Sequence, residues 1–374
     1  MELIRKGTMP VSEQKEEPQD SFFEEDDDIS TDKEHLLPTG STLLNLQLSD
    51  RWYGGYPIGR IISLVGESEA GKSLCALTCF AETSLYERFD RYRFILDPAE
   101  HGVMFDIKKM FGEEIARRIE ILPDKDSSDT VEDFFSNFRK VLKKGEPFIY
   151  VLDSLDSLTC LAELARADEI EEKGEASASY QTEKARMISQ LLRVTKKDIK
   201  TTEGLLILIH QTRDLIQTAS KFKAKPVVES GIPGKTKGGG RAAKFYDSVE
   251  IWATGKPIIQ TIRGMEKIVG TSAKLKVTKN RITGKKGKVN LIMNHYYGGI
   301  DDLTSCVEFL VETGAWKKEV NSIVPTMGLE KGMMPKIINQ IETKCLEVEV
   351  QKLVGQVWQE IEEACKPNRK PRYS

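Results

Sequence analysis

Apolar residues in this chain gather into short unbroken runs, separated by longer stretches of helical spacing. Ile61-Ile62-Ser63-Leu64-Val65, Arg93-Phe94-Ile95-Leu96, Phe148-Ile149-Tyr150-Val151-Leu152 and Leu205-Leu206-Ile207-Leu208-Ile209 are runs of the first kind. They are too short for helices and lack the polar alternation of a half-exposed strand, so they predict strands buried on both faces. Leu74 to Phe80, Ile107 to Ile119, Val131 to Leu142 and Tyr180 to Asp198 predict helices. In the third of these, Val131, Phe134, Phe135, Phe138, Val141 and Leu142 form one apolar stripe. Glu120-Ile121-Leu122 predicts a further short strand. Strands alternating with helices imply an α/β fold with a mainly parallel sheet covered on both faces.

Beyond this region the pattern changes. Residues 212–243 are rich in Gly, Lys, Ser and Thr and include Gly238-Gly239-Gly240. A connection this long inside a compact domain is usually functional. Ser248 to Trp252, Ala273 to Val277 and Lys288 to Met293 again read as strands. From Leu303 the spacing is helical, with Leu303, Val307, Leu310 and Val311 on one face, and Cys345 to Glu362 predicts a second amphipathic helix. The expected organisation is an acidic tail over 1–37, a core over 38–300, a small helical C-terminal domain over 301–365, and a basic tail over 366–374. The run Glu24-Glu25-Asp26-Asp27-Asp28 resists compaction, so the first tail is expected to be mostly disordered. Phe22-Phe23 stands out within it as an aromatic pair suited to anchoring on another surface.

Composition narrows the class. With 39% hydrophobic and 30% charged residues the chain reads as soluble. No apolar run approaches the ~20 residues needed to span a bilayer, and Met1 to Lys6 carries no secretory signal. The six cysteines contain no C-x-x-C pair, which fits a reducing cytoplasm. Cys75 and Cys79 lie four residues apart on a predicted helix and read as packed thiols rather than metal ligands. The net charge of −3 conceals an asymmetry. Residues 1–37 hold twelve Asp/Glu against four Lys/Arg, whereas Arg213 to Lys288 holds eighteen Lys/Arg against five Asp/Glu. So large a local surplus points to a polyanionic partner.

The most specific motif follows the first strand. Gly66-Glu67-Ser68-Glu69-Ala70-Gly71-Lys72-Ser73 is a phosphate-binding loop, and Leu74 begins the helix behind it. Its glycines let backbone N–H groups point at phosphate oxygens, Lys72 reaches the outer phosphates, and the Ser73 hydroxyl suits Mg²⁺. Asp153, at the end of a second strand, is the expected carboxylate beside that Mg²⁺. Glu100, after a third strand end, is a candidate to orient or deprotonate an attacking water, with Asp97 competing for the role. Gln211, at the tip of a fourth, suits sensing a terminal phosphate and passing its loss to the basic loop. Lys279 and Arg281 are spaced to face one way, which suits either plain surface charge or reach toward a phosphate held by a neighbouring subunit.

Taken together, these segments resemble the RecA-family recombinases over roughly residues 38–316. The resemblance is carried by Thr39-Gly40-Ser41, by Gly55 to Ile61, and by Asp97-Pro98-Ala99-Glu100-His101, which has one extra residue, Pro98. It continues through Leu152-Asp153-Ser154-Leu155, Leu208 to Arg213, Gly239 to Tyr246, Lys276 to Arg281 and Gly314-Ala315-Trp316. It implies a RecA-like P-loop ATPase core, ATP and Mg²⁺ as ligands, Glu100 as the catalytic carboxylate and Gln211 as the sensor. It further implies that Lys279 and Arg281 act across a subunit junction and that Lys244 and Phe245 lie in that interface. Arg186, Arg193 and Arg213 match DNA-contacting positions, behind a first DNA loop at about Ala167 to Tyr180. The second loop offers Lys221, Lys223, Lys225, Lys235, Lys237, Gly239, Gly240 and Arg241. The chain departs from the pattern in its acidic first tail, in His210 where an Asn is common, in its acidic first loop, and in its longer, more basic second loop.

The resulting expectation is a DNA-dependent ATPase that polymerises as a helical filament on single-stranded DNA and pairs it with homologous duplex. Single-strand-binding or loader proteins are further candidate partners. A regulatory ATPase without strand exchange, a P-loop phosphotransferase and a ring-forming helicase are the alternatives.

Overall fold

A computed structural model of the chain describes residues 35–100, 106–166, 180–214, 232, 234–237, 244–296 and 298–369. Its strands are β1 (Leu36–Leu37), β2 (Tyr56–Pro57), β3 (Arg60–Gly66), β4 (Arg93–Asp97), β5 (Ile119–Ile121), β6 (Phe148–Leu152), β7 (Leu205–Asp214), β8 (Lys235–Lys237), β9 (Val249–Ile262), β10 (Met265–Asn280), β11 (Gly287–Asn294), β12 (Lys317–Glu319) and β13 (Ser322–Val324). Its helices are α1 (Thr42–Ser49), α2 (Lys72–Thr83), α3 (Ile107–Phe111), α4 (Glu113–Arg118), α5 (Val131–Lys144), α6 (Tyr180–Thr201), α7 (Asp302–Glu312), α8 (Met334–Thr343) and α9 (Glu347–Ala364).

Nine strands form one sheet in the order β11-β10-β9-β3-β7-β6-β4-β5, with β8 paired to the far end of β7. The pairs β9-β3, β3-β7, β7-β6, β6-β4 and β4-β5 are parallel, so the expected mainly parallel α/β core is present. Alternation along each strand divides its side chains between two layers. On β7, Leu205, Ile207 and Ile209 enter one buried cluster with α1 and α2, while Leu206 and Leu208 enter a second with α5 and α6. The unbroken apolar runs thus reflect burial on both faces. From residue 301 on, Cys306, Val307, Leu310, Ile337, Ile341, Val350, Val354 and Val357 join the first cluster.

Helix α5 shows how local sequence sets an element. Thr130 caps it in a reciprocal capping box with Asp133, and Gly145, at φ +69°, ends it. Its stripe packs Phe138 edge-on against Phe148 and Tyr150, with Phe134 stacked beside it.

Three expectations need correction. The helix predicted over Ile107 to Ile119 is two helices, because Gly112 takes φ +88° and ψ 166° between them. The fourth buried strand does not end at Gln211; it runs on to Asp214 and pairs antiparallel with β8 inside the expected loop. The strands read near 250 and 275 are the buried roots of a much longer ribbon, β9–β10, closed by Arg263 (φ +52°) and Gly264 (φ +79°). Beyond the sheet both faces of that ribbon meet solvent, so no burial pattern marks them. The hairpin β12–β13 and helix α8 were also not read from the sequence. The tails 1–34 and 370–374, with Phe22-Phe23, lie outside the described residues.

Phe138 is fully buried among three aromatic rings, so Phe138→Ala should cost about 3–5 kcal/mol in urea unfolding. A loss below about 1 kcal/mol would contradict this packing of α5.

Candidate functional site

Parallel strands deliver their C-terminal ends to one edge of the sheet, and four of those ends build the site. β3 ends at Gly66, β4 at Asp97 and β6 at Leu152, and β7 carries Gln211 next to them.

The phosphate loop spans Gly66 to Ser73. A Cβ on Gly66 would lie 2.5 Å from the Ala253 carbonyl oxygen, so only glycine fits where β9 passes. Gly71 takes φ +81° and opens α2 with no side-chain cap, which leaves first-turn amides free for an anion. Glu67, Ser68 and Glu69 are exposed, whereas Ala70 and Leu74 face the core. Lys72 is 8% exposed and donates to Gly66 O (3.0 Å) and Glu67 O (2.6 Å). Burial pulls its pKa below the ordinary lysine value, against the opposing pull of Asp153 and Glu100. A buried ammonium on backbone carbonyls gains by exchanging them for anionic oxygens.

Ser73 Oγ donates to Asp153 Oδ2 at 2.5 Å. Burial raises the Asp153 pKa, and the Ser73 bond offsets part of that. A hydroxyl and a carboxylate in contact are the hard oxygen donors that Mg²⁺ takes, and the described residues contain no cluster of three or more His, Cys, Asp or Glu able to hold a metal alone. The residues present therefore fit such a cation.

Glu100 is exposed at the mouth of the site. Its N–H donates to Asp153 O (3.2 Å), and its Oε1 accepts from Ser154 Oγ (2.5 Å) and Gln211 Nε2 (2.6 Å). Asp97, the competitor, is fully buried and accepts from Ser128 N, Ser128 Oγ and Tyr150 OH on the opposite face. Burial raises its pKa. Asp97 is therefore a structural carboxylate, and Glu100 is the one that faces the loop.

The basic residues divide into three groups. Arg186 and Arg193 are exposed, seven residues apart, on one face of α6, and Arg213 is exposed on β7. Lys221, Lys223, Lys225, Gly239, Gly240 and Arg241 lie outside the described residues, as does most of the first DNA loop. The two lysines of β8 have different surroundings. Lys235 Nζ lies 3.1 Å from Glu67 Oε1 of the phosphate loop. Lys237 is buried between Asp247 Oδ2 (2.9 Å) and Glu250 Oε2 (2.7 Å), so it is withdrawn from the DNA-contacting set. Burial lowers the Lys237 pKa, but the two carboxylates outweigh it and hold the ammonium above its ordinary value. Burial likewise raises Glu250, yet Lys237, Trp252 Nε1 and Thr278 Oγ1 bring it down to about 2.

Lys279 Nζ donates to Lys244 O and Phe245 O, and Arg281 donates to Phe245 O at 3.0 Å. The two cations therefore converge on one turn, beside a Phe245 side chain that is 67% exposed. Cys75 and Cys79 are buried free thiols in the core, pushed up to about 12 by burial. Sequence reading missed Ser154 as the second donor to Glu100, and Asp156, whose Oδ2 accepts the Gln211 N–H at 2.9 Å. Position is the signal for both, since each follows the buried run of β6 within four residues.

Fold and loop geometry together define an α/β P-loop protein with a RecA-like core. The profile of the RecA N-terminal domain family matches residues 19–300, and the chain belongs to that family. Over 285 residues it is 29% identical to Protein RecA of Oceanobacillus iheyensis, covering 75% of this chain and 72% of that one. It is 27% identical over 286 residues to Protein RecA of Clostridioides difficile, with 75% and 72% coverage. Against Protein RecA of Bacteroides thetaiotaomicron it is 28% identical over 294 residues, with 77% and 79% coverage. No helix of the described residues is long and apolar enough to cross a membrane.

Lys237→Ala should destabilise the fold by about 3–5 kcal/mol, because it strands two buried carboxylates. Lys235→Ala should cost less than about 1 kcal/mol, since its partner is exposed. The stabilisation from Glu250 is complete above pH 4.5, its ordinary pKa, and fades as pH falls toward 2. Glu250→Gln should therefore flatten the pH dependence of unfolding in that window; an unchanged slope would contradict the ion triad.

Proposed function

We propose that this protein is an ATP-dependent recombinase. In this reading it assembles on single-stranded DNA as a filament, binds ATP with Mg²⁺ between protomers, and promotes pairing and strand exchange with homologous duplex. One observation carries the reading. Gln211 bonds the Glu100 carboxylate through its side chain and, through its backbone, begins the end of β7 that leads into the basic segment. A single residue thus touches the hydrolytic carboxylate and the chain that would meet DNA.

In this mechanism the amides of Glu67 to Ser73 cradle the phosphates, and Lys72 exchanges its loop carbonyls for outer phosphate oxygens. Ser73 and Asp153 would hold Mg²⁺, which would supply charge neutralisation. Glu100 orients the attacking water and accepts its proton, with Ser154 fixing the carboxylate. Gln211 moves between Glu100 and the terminal phosphate, so phosphate loss is felt by β7. Lys279 and Arg281 leave the carbonyls of Lys244 and Phe245 to offset charge on the neighbour's nucleotide, with Phe245 in the junction. Arg186, Arg193, Arg213 and the segment with Lys221, Lys223, Lys225, Gly239, Gly240 and Arg241 grip the DNA backbone, which makes binding sequence-tolerant and salt-sensitive. Membership of the family and the basic surplus after Arg213 support this reading over a phosphotransferase, which needs no polyanion-binding surface.

Lys72→Ala should lower DNA-stimulated ATP hydrolysis at least about a hundredfold; wild-type turnover would remove the loop assignment. Lys279→Ala and Glu100→Gln should each be inactive alone. Mixed, they should regain activity, because junctions form that combine an intact Lys279 with an intact Glu100 of the next protomer. No recovery in mixtures shown to co-assemble would place hydrolysis within one protomer. Strand transfer between a labelled duplex and homologous single strands, followed on gels, tests the recombinase reading itself; absence of product would leave only a DNA-dependent ATPase.

A further inference from the structure

We propose that Asp156 is a positioning residue that couples Gln211 to the two DNA-facing elements beside it, the end of β7 and helix α6. The proposal rests on the reading of Gln211 as phosphate sensor.

Asp156 lies four residues beyond β6, and its side chain is only 6% exposed. Two elements, β7 and α6, meet on this residue through three contacts. Its Oδ2 accepts the backbone N–H of Gln211 at 2.9 Å. Its backbone carbonyl, 3.2 Å away, accepts from Lys184 of α6, and the same ammonium also binds the Leu158 carbonyl. Its Oδ1 faces the Arg213 guanidinium at 3.6 Å. Burial pulls Lys184 below the ordinary lysine pKa, against the opposing charge of Asp156.

A carboxylate with a purely structural task would have both oxygens bonded, as Asp97 does. Asp156 Oδ1 is buried and has no hydrogen-bond partner. His210 stands next to Gln211 on β7, fully buried, its Nε2 3.1 Å from Ser63 Oγ. Its Nδ1 has no hydrogen-bond partner either and lies 3.7 Å from Asp156 Oδ2. Arg213 and His210 thus sit just outside hydrogen-bonding distance of a carboxylate with spare capacity. A shift of β7 by a fraction of an ångström closes one contact or the other. When Gln211 moves, Asp156 holds its amide as the pivot. Arg213 is then either drawn onto Oδ1 or released toward a DNA phosphate, and Lys184 keeps α6, with Arg186 and Arg193, in register with the same pivot.

The test measures affinity for a fluorescent poly-thymidine oligonucleotide by anisotropy, with a non-hydrolysable ATP analogue and with ADP. The readout is the ratio of the two dissociation constants, compared between the full-length protein and its variants. Asp156→Ala and the near-isosteric Asp156→Leu remove the acceptor. Each should lower the ratio at least about tenfold, the size of one lost hydrogen bond to a charged group. Asp156→Asn keeps one acceptor for the Gln211 amide but loses the charged oxygen that faces Arg213, so its ratio should fall between those of wild type and Ala. Binding of the ATP analogue without DNA should be unchanged in all three, which a general structural lesion would not allow. The proposal falls if Ala and Leu keep the wild-type ratio, if Asn loses as much as Ala, or if analogue binding falls in parallel. A wild-type ratio of one would remove the sensor reading and this proposal together, whereas a wild-type ratio retained in Ala removes this proposal alone.

Discussion

The convergence of parallel strand ends at one edge of the sheet is the constraint on which the rest depends. β3, β4, β6 and β7 are hydrogen-bonded neighbours in parallel register, so Gly66, Asp97, Leu152 and Gln211 come to one rim without any long-range design of side chains. The residues just beyond these ends then form the candidate site: Lys72 and Ser73 after β3, Glu100 after β4, Asp153 to Asp156 after β6. Two buried layers hold the strands from either side, so the relative height of these ends is set by core packing. Polar residues at the rim consequently meet at hydrogen-bond distance although they come from four separate stretches of chain.

Charge is arranged in two tiers around that rim. One buried group of charges is paired and fixes the scaffold: Lys237 with Asp247 and Glu250 pins the return strand β8 against the root of β9. Other charges stand exposed, as with Arg186, Arg193 and Arg213. The ion triad explains how a lysine-rich connection has an ordered base. Its first strand continues β7, its last strand is anchored through Lys237, and Lys235 leans on the phosphate loop at Glu67.

Much of the core was legible in the sequence because burial on both faces leaves an unmistakable trace. Phe148 to Leu152 and Leu205 to Ile209 have no polar residue to suggest an outer face, and both are central strands. The phosphate loop was legible because its chemistry requires glycine at fixed spacing. The long ribbon β9–β10 was not, because Ile259, Ile262, Met265 and Ile268 stand exposed on it and Arg263-Gly264 is an uncommon turn pair. Lys237 misled for a physical reason: lysine is almost never buried without partners, and its partners lie ten and thirteen residues on, on a different element. Asp156 drew no role from the sequence because its side-chain contacts come from the neighbouring strand β7.

The central claim is that Gln211 carries nucleotide state from Glu100 to the DNA-binding face. The most direct test is Gln211→Ala, with single-strand binding measured by anisotropy in the presence of a non-hydrolysable ATP analogue, ADP or no nucleotide. The account predicts that the analogue still binds, but that single-strand affinity no longer distinguishes the three conditions. A Gln211→Ala protein that still tightens on DNA with the analogue, as the wild type is expected to, would contradict it.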